Sequence, residues 1–389
     1  MKYIKALILK ILALGKLFVF IIRKHNTIKK TELFFFFPFY HTGGAEKVHA
    51  DIVSEFEQEK TFIFFEGKSN SDANRHRFIK HSDYFEIFDF LNRSIYIKKI
   101  FLIYLKIIIN KNKKALVFSC SSSSFYEIIP FLKNHIKKVD LLHSFSYSQK
   151  GGEVLSLPYV KYIDQRIVIN KRTLFDYTNL YNKNNLSEYL DRIQVIYNGI
   201  ELNNIDFQKK DFSTIKIGFV GRWCIEKRPE LYLEIASLLQ KKSKKFKFYY
   251  AGTNNGDNVK EIKKNNIISL GDVKDPIILK ELYKELHFLL VPSKIEGFPV
   301  VIMECMNYGV VPICSDIGGI SEHITNGING VIIKDYSSAQ KVVSDFVETV
   351  LSIYLEESFH KLSLNAYNYA QSNYDVQKCK ASYRKVLTG

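Results

Sequence analysis

The chain has 389 residues, and at roughly 100–200 residues per domain it should fold as two domains rather than one. Hydrophobic residues make up 46% and charged residues 25%, which excludes a largely disordered protein. Lys and Arg outnumber Asp and Glu by 56 to 40; the net +16 favours polyanions or anionic lipid as partners, although part of it is compositional, since Lys, Asn, Ile and Tyr are plentiful throughout. Cys120, Cys224, Cys305, Cys314 and Cys379 are scattered, with no Cys-x-x-Cys and no Cys/His spacing that suits zinc. They fit a reducing compartment and read as small buried hydrophobes.

Residues 1–30 carry eight of the sixteen excess positive charges and no acidic residue. At 100° per residue, Lys2, Lys5, Lys10, Lys16 and Arg23 fall on one side of a helix, and Ile4, Leu7, Ile8, Ile11, Leu14, Phe18 and Ile21 on the other. Lys10 and Lys16 interrupt the apolar stretch that a cleaved signal peptide needs. A spanning helix would have to bury two or three lysines. Lying in the lipid interface, with lysines toward anionic headgroups, costs less. A helix packed on its own protein is the remaining option.

From Thr31 onward, short β-branched and aromatic runs alternate with helical stretches, the pattern of βα units and a parallel sheet. Strands are expected at 33–37, 61–65, 84–88, 116–119, 139–142, 166–169 and 194–197, with helices at 45–57, 95–110, 125–135 and 171–181 between them. Asn198-Gly199-Ile200 and the polar stretch to Ser213 read as a linker. A second series follows, with strands at 216–220, 246–251, 267–270, 288–291, 311–314 and 330–333, and helices at 229–240, 277–283, 300–308 and 339–355. Helices at 359–370 and 375–387 should cross back onto the first domain. The fold class is therefore α/β: a helix over 1–30, a doubly wound domain over 31–205, a second over 206–370, and a returning C-terminal helix over 371–389. Ligands of such sheets bind beyond the carboxyl ends of the strands, so the functional cleft should lie between the domains.

Three stretches at strand ends carry chemistry. In Tyr40-His41-Thr42-Gly43-Gly44-Ala45-Glu46, paired glycines open a helix, where backbone N–H groups and the helix dipole favour an anion. A tight turn without a ligand explains that stretch equally well. Gly221-Arg222, followed by Glu226-Lys227, sets two cations five residues apart in a strand-to-helix loop, where they can converge on one diphosphate. The third stretch runs from Pro292 through Glu296-Gly297-Phe298-Pro299 to Glu304, followed by Asp316-Ile317-Gly318-Gly319. Pro299 suits a first helical turn, which leaves Glu296 in the preceding loop and Glu304 about 7 Å further along the axis. Carboxylates so separated can hold two hydroxyl-bearing parts of one ligand while cations and N–H groups meet its phosphates. A sugar nucleotide has that layout.

The Glu-x7-Glu spacing of Glu296 and Glu304, the Gly-Arg-x4-Lys element of Gly221, Arg222 and Lys227, and the Gly43-Gly44 loop together resemble glycosyltransferase family 4, the retaining GT-B transferases also called glycosyl transferases group 1. The resemblance covers roughly Thr31 to the C-terminus and is strongest from Ile215 to Ile333. It implies two Rossmann-like domains facing a cleft. Arg222 and Lys227 would bind the donor diphosphate and stabilise the charge that grows as it departs. Glu304 would take the ribose hydroxyls, Glu296 the donor sugar, and the Gly297, Phe298 and Pro299 backbone the sugar and phosphates. Gly43 and Gly44 would also contact the donor, and Asn254, Gly256 and Val273 would flank the base. His143, at a strand end, resembles the family's active-site histidine, with His41 as its competitor. Family members keep the anomeric configuration, the leaving phosphate oxygen taking the acceptor's proton, so no carboxylate pair is required. Where the family has Glu-Gly-Phe-Gly, this chain has Pro299, which lacks an N–H, and Arg228-Pro229 follow Lys227. No Asp-x-Asp occurs, which argues against the metal-dependent GT-A class.

The function expected is a metal-independent, retaining hexosyltransferase that needs no cofactor. It would move a sugar from a nucleotide diphosphate donor to a glycan or lipid-linked acceptor in cell-envelope polysaccharide synthesis. It would be cytoplasmic and peripheral on the inner face of the membrane, held there by an anionic membrane surface through residues 1–30. A nucleotide-sugar epimerase or a non-catalytic nucleotide-sugar-binding protein would share the architecture. A nucleic-acid partner is not expected, because half of the excess charge sits in the terminal helix and no recognition module occurs.

Overall fold

A computed structural model describes residues 2–149, 151–203, 206–253, 256–334 and 338–389. Its first sheet has seven parallel strands, β1 (Leu33–Phe37), β2 (Thr61–Phe65), β3 (Asp83–Glu86), β4 (Leu116–Cys120), β5 (Lys137–Leu142), β6 (Gln165–Val168) and β7 (Ile193–Val195), in the order β3-β2-β1-β4-β5-β6-β7. The second has six, β8 (Ile215–Val220), β9 (Phe246–Ala251), β10 (Ile267–Gly271), β11 (Phe288–Val291), β12 (Val311–Ser315) and β13 (Val331–Ile333), in the order β10-β9-β8-β11-β12-β13. Helices cover both faces of each sheet, so the central strands read as continuous apolar runs. All five residues of β1, Leu-Phe-Phe-Phe-Phe, are buried.

Both sheets reverse their winding once, between β1 and β4 and between β8 and β11. The loops after these strands open a crevice, and the three motif stretches occupy the ends of β1, β8 and β11.

Three elements depart from expectation. The helix expected over 359–370 to cross back onto the first domain is Glu356–Asn373 and packs on the second domain instead, against β12 and the Val300–Met306 and Ala339–Ile353 helices. The helix expected over 125–135 is Ser123–Ile128 followed by one 3-10 turn, Ile129–Phe131, because Pro130 cannot donate a helical hydrogen bond. The strand expected over 84–88 ends at Glu86, and Phe88 already begins a short helix, Phe88–Asn92. Cys120, Cys305, Cys314 and Cys379 are buried and Cys224 is half-buried, all as free thiols.

The N-terminal helix runs from Lys2 to Lys30 and has two apolar faces. One, carrying Ala13, Leu17, Phe20 and Ile28, is buried against the first domain. There Phe20 packs on Phe85, Phe90 and Phe101 with ring centroids 4.5, 5.7 and 5.9 Å away. The other face, which includes Leu7, Ile11, Phe18 and Ile22, is exposed. No helix among the described residues is long and apolar enough to cross a membrane.

The chain passes between the domains twice, and the crossings are bonded to each other. Ile200 N–H donates to the Tyr374 carbonyl at 2.8 Å, and Val376 N–H donates to the Ile200 carbonyl at 3.0 Å. A methyl group at Gly199 would stand 2.7 Å from Val376 Cα, so only glycine allows the two segments so close. Beyond the crossing, the Val376–Thr388 helix lies on the Gly44–Glu55 helix of the first domain. Arg384 ties it down by donating to Glu55 Oε1 at 2.5 Å and Glu59 Oε1 at 2.6 Å.

Candidate active site

The crevice encloses about 1260 Å³, ample for a nucleotide-sized ligand, and is walled by both domains. From the second domain, Gly221 and Arg222 follow β8, Glu296 to Pro299 follow β11, and Val273 follows β10. From the first, His41 to Gly44 follow β1 and His143 follows β5. The catalytic and donor-binding residues expected from the sequence therefore line this one space. Asn254 lies outside the described residues, and Gly256 begins a short 3-10 turn that does not reach the crevice wall.

Arg222 is exposed on the crevice wall, close enough to the first domain to act on His41 and Glu46. Lys227 is turned into the crevice and paired with Glu296. The loop between them is braced: Trp223 N–H donates to the Thr253 carbonyl at 2.8 Å, and Arg228 takes the left-handed conformation at φ 53° before Pro229 starts the next helix. Glu304 sits on the Val300–Met306 helix, whose N-cap is Pro299 rather than its first helical residue. One carboxylate oxygen of Glu304 accepts from Tyr283 Oη at 3.0 Å, and the other meets Lys47 Nζ of the opposite domain at 2.5 Å. Burial and the adjacent Glu304 hold the Tyr283 phenol well above its ordinary range.

On the facing wall, the Glu46 carboxylate folds back over Gly43, where a methyl group would stand 2.0 Å from Glu46 Oε2. A side-chain carboxylate thus occupies the start of the Gly44–Glu55 helix, the seat expected for a ligand anion. Its other oxygen lies 3.3 Å from His41 Nε2. Burial raises the Glu46 pKa above the usual carboxylate range; burial first, and Arg222 second, lower that of His41. Gly44 serves a different purpose: a methyl group there would meet Val300 Cγ2 of the other domain at 3.1 Å.

His143 Nε2 is 2.9 Å from His49 Nε2, on the buried face of the Gly44–Glu55 helix. Burial lowers the His143 pKa to about 4, and His49, stacked on Phe37 at 4.5 Å, lies well below its ordinary value. Both rings are neutral near pH 7, so one Nε2 donates and the other accepts. Together with Cys120 these imidazoles are the described residues whose ligand atoms, all within 4.8 Å, could hold a metal ion. Burial raises the Cys120 thiol pKa, so its metal-binding thiolate form is disfavoured.

Phe298 lines the crevice but is almost wholly buried. Its ring is buried and stacked on His323 at 4.1 Å, with Tyr374 beyond. Gly297 is needed for close approach, since a methyl group there would stand 1.8 Å from the His143 carbonyl oxygen. Gly318, at φ +55°, lies under the same loop, and Gly319 N–H donates to the Gly297 carbonyl at 2.6 Å. Asp316-Ile317-Gly318-Gly319 thus buttresses the Glu296–Pro299 loop. Lys47, Tyr283 and His49 escaped the sequence reading. Only the Gly-Gly-x-x-Lys run offered a signal for Lys47; the other two sit at ordinary helical positions.

Two doubly wound domains closing on a crevice of mixed cations and carboxylates define the GT-B class of fold. Residues 214–353 match the family "Glycosyl transferases group 1", a match confined to the second domain. Among curated relatives, the capsular polysaccharide biosynthesis glycosyltransferase CapH of Staphylococcus aureus is 26% identical over 219 residues, 53% of this chain and 58% of CapH. Three other curated relatives are matched over only 44, 65 and 50% of their length. The crystal structure of TarM superposes with a TM-score of 0.72 at 13% identity, covering 92% of this chain and 99% of that one. Anabaena HepE in complex with UDP-glucose gives 0.68 at 15% identity, covering 92 and 99%. At these identities the likeness is one of fold.

Proposed function

We propose that this protein is a retaining, metal-independent glycosyltransferase. It moves a sugar from a nucleotide diphosphate donor to a glycan or lipid-linked acceptor in cell-envelope polysaccharide synthesis, at the cytoplasmic face of the membrane. The observation that carries this reading is the meeting, in one crevice, of Arg222 and Lys227 from one domain with the glycine loop and His143 from the other.

In this reading Arg222 and Lys227 receive the diphosphate. Lys227 exchanges Glu296 for a phosphate oxygen, and the released carboxylate takes the donor sugar's hydroxyls. Glu304 holds the ribose, with Tyr283 orienting it. The acceptor oxygen bonds to the anomeric carbon as the bond from that carbon to the diphosphate oxygen breaks on the same face. The acceptor's proton passes to that leaving oxygen. Negative charge grows on the diphosphate, and two fixed cations at a partly desolvated site meet it without reorganising. Those cations are the reason no metal ion is invoked. His143, neutral and held through His49, offers a ring nitrogen to the sugar. The family match over 214–353 and the fold shared with HepE support a nucleotide-sugar donor.

The test is transfer from a panel of uridine- and guanosine-diphosphate sugars to membrane-extracted acceptors, with product anomers assigned by NMR. Release of nucleoside diphosphate only when acceptor is present supports the reading. Conversion of the donor without acceptor would instead indicate an epimerase.

A further inference from the structure

The N-terminal helix leaves an apolar stripe uncovered although its opposite face is packed. Leu7, Ile11, Phe18 and Ile22 are 59, 61, 65 and 63% exposed and follow a helical spacing. The Ile95–Lys111 helix lies beside it, with Phe20 5.9 Å from Phe101 and 6.1 Å from Tyr104 between ring centroids. That helix has a stripe of its own: Tyr96, Ile100, Ile103 and Ile107, at i, i+4, i+7 and i+11, are 74, 47, 56 and 47% exposed. Two adjoining helices that each turn large aliphatic residues to solvent exceed the scatter expected on a soluble surface.

The charges around this face favour one occupant. At 100° per residue, the exposed Ile8, Leu12 and Val19 continue the first stripe to one margin, where Lys5 and Arg23 lie, and residues 1–30 contain no acid. The acids that meet this helix, Asp89 and Asp83, are engaged by Lys16 at 2.5 Å and Lys24 at 2.8 Å on its packed side. Aliphatic stripes edged by cations suit the acyl and headgroup layers of an anionic leaflet. A second copy of the same basic face would repel it.

The crevice extends toward this face. Its lining continues past Glu66 and Ser123 to Phe88, Leu91, Asn92 and Lys98. The first three lie on the Phe88–Asn92 helix that packs on the N-terminal helix, and Lys98 lies in the first turn of the Ile95–Lys111 helix.

We infer that the exposed stripes of the Lys2–Lys30 and Ile95–Lys111 helices form one composite surface that docks on an anionic lipid leaflet, setting the mouth of the crevice at the bilayer, where a lipid-anchored acceptor would enter. This deepens the transferase reading and rests on it only for the role of the acceptor.

The experiment is co-sedimentation of the full chain with vesicles of phosphatidylcholine, with and without phosphatidylglycerol, using two variants. One is Ile11→Ser/Phe18→Ser/Ile22→Ser, and the other is Ile100→Ser/Ile103→Ser/Ile107→Ser. All six side chains are exposed, and binding of uridine or guanosine diphosphate provides a separate check of the folded crevice. The expected result is binding that requires phosphatidylglycerol and falls about tenfold or more in each variant, with nucleotide binding unchanged. A wild-type chain that stays in the supernatant, or a second variant that binds like wild type, would overturn the composite surface. So would a dimer that both variants dissociate without altering vesicle binding. Vesicle binding without nucleotide binding would defeat the transferase reading and leave the surface standing.

Discussion

At the residue scale, charge decides what the crevice can hold. Arg222 has no carboxylate within bonding distance among the described contacts, whereas Lys227 and Lys47 are each held by one, Glu296 and Glu304. Arg222→Ala should therefore lower transfer by more than about 100-fold, mainly in kcat, because a fixed donor to a developing charge is lost; steady-state kinetics with saturating acceptor would show it. Glu304→Gln should raise the donor KM by about 10–100-fold with a smaller change in kcat, as expected for one charge-assisted hydrogen bond to the ribose. The Glu-x7-Glu and Arg-x4-Lys spacings made these four residues legible, because both elements lie within a single loop and helix. The partners were not legible: Lys47 meets Glu304 across 257 positions of sequence, a contact set by the closed pair of domains, and His49 meets His143 across 94, a contact set by the packing of the first domain.

At the element scale, glycines decide how closely the domains approach. Gly297→Ala must push the Glu296–Pro299 loop away from the His143 carbonyl, since the methyl group would stand 1.8 Å from that oxygen. Transfer should fall at least about tenfold, with each domain still folded, because displacing reacting groups by as little as 1 Å is costly; activity measured alongside circular dichroism would separate the two effects. Most strands were readable because buried aromatic runs such as β1 and β2 carry an unmistakable pattern. Less was readable where local and tertiary signals compete. Pro130 cut a helix short, and the apolar run before Phe88 concealed a strand end followed by a helix start. The N-terminal helix was legible as amphipathic. Its second apolar face, Ala13, Leu17 and Phe20, emerged only against the rings of the first domain.

At the scale of the whole molecule, the domains are joined by paired crossings and by a cap in trans. Glu322 of the second domain accepts from Lys171 N–H at 2.9 Å and Arg172 N–H at 2.8 Å, at the N-terminus of a helix in the first that Asn170 caps through Thr173 N–H. His143, His287 and His323 are all kept neutral by burial, each with its pKa lowered from 6.5 to about 4. A depressed histidine pKa means that the unfolded chain binds the proton more readily. The stabilisation is present above about pH 6.5 and is lost as pH falls toward 4. Thermal unfolding should shift to lower temperature over that window. His287→Phe, which removes one of the three groups, should give a shallower decline in Tm, read by scanning calorimetry from pH 7 to pH 4.

The most direct measurement is calorimetric titration of uridine and guanosine diphosphate into the wild-type chain and into Arg222→Ala/Lys227→Ala. The expected result is saturable binding of at least one nucleotide to the wild type, weakened about 100-fold or more in the double variant as two charge-assisted contacts are lost. Equal affinity in both proteins, or no binding of either nucleotide to the wild type, would contradict it.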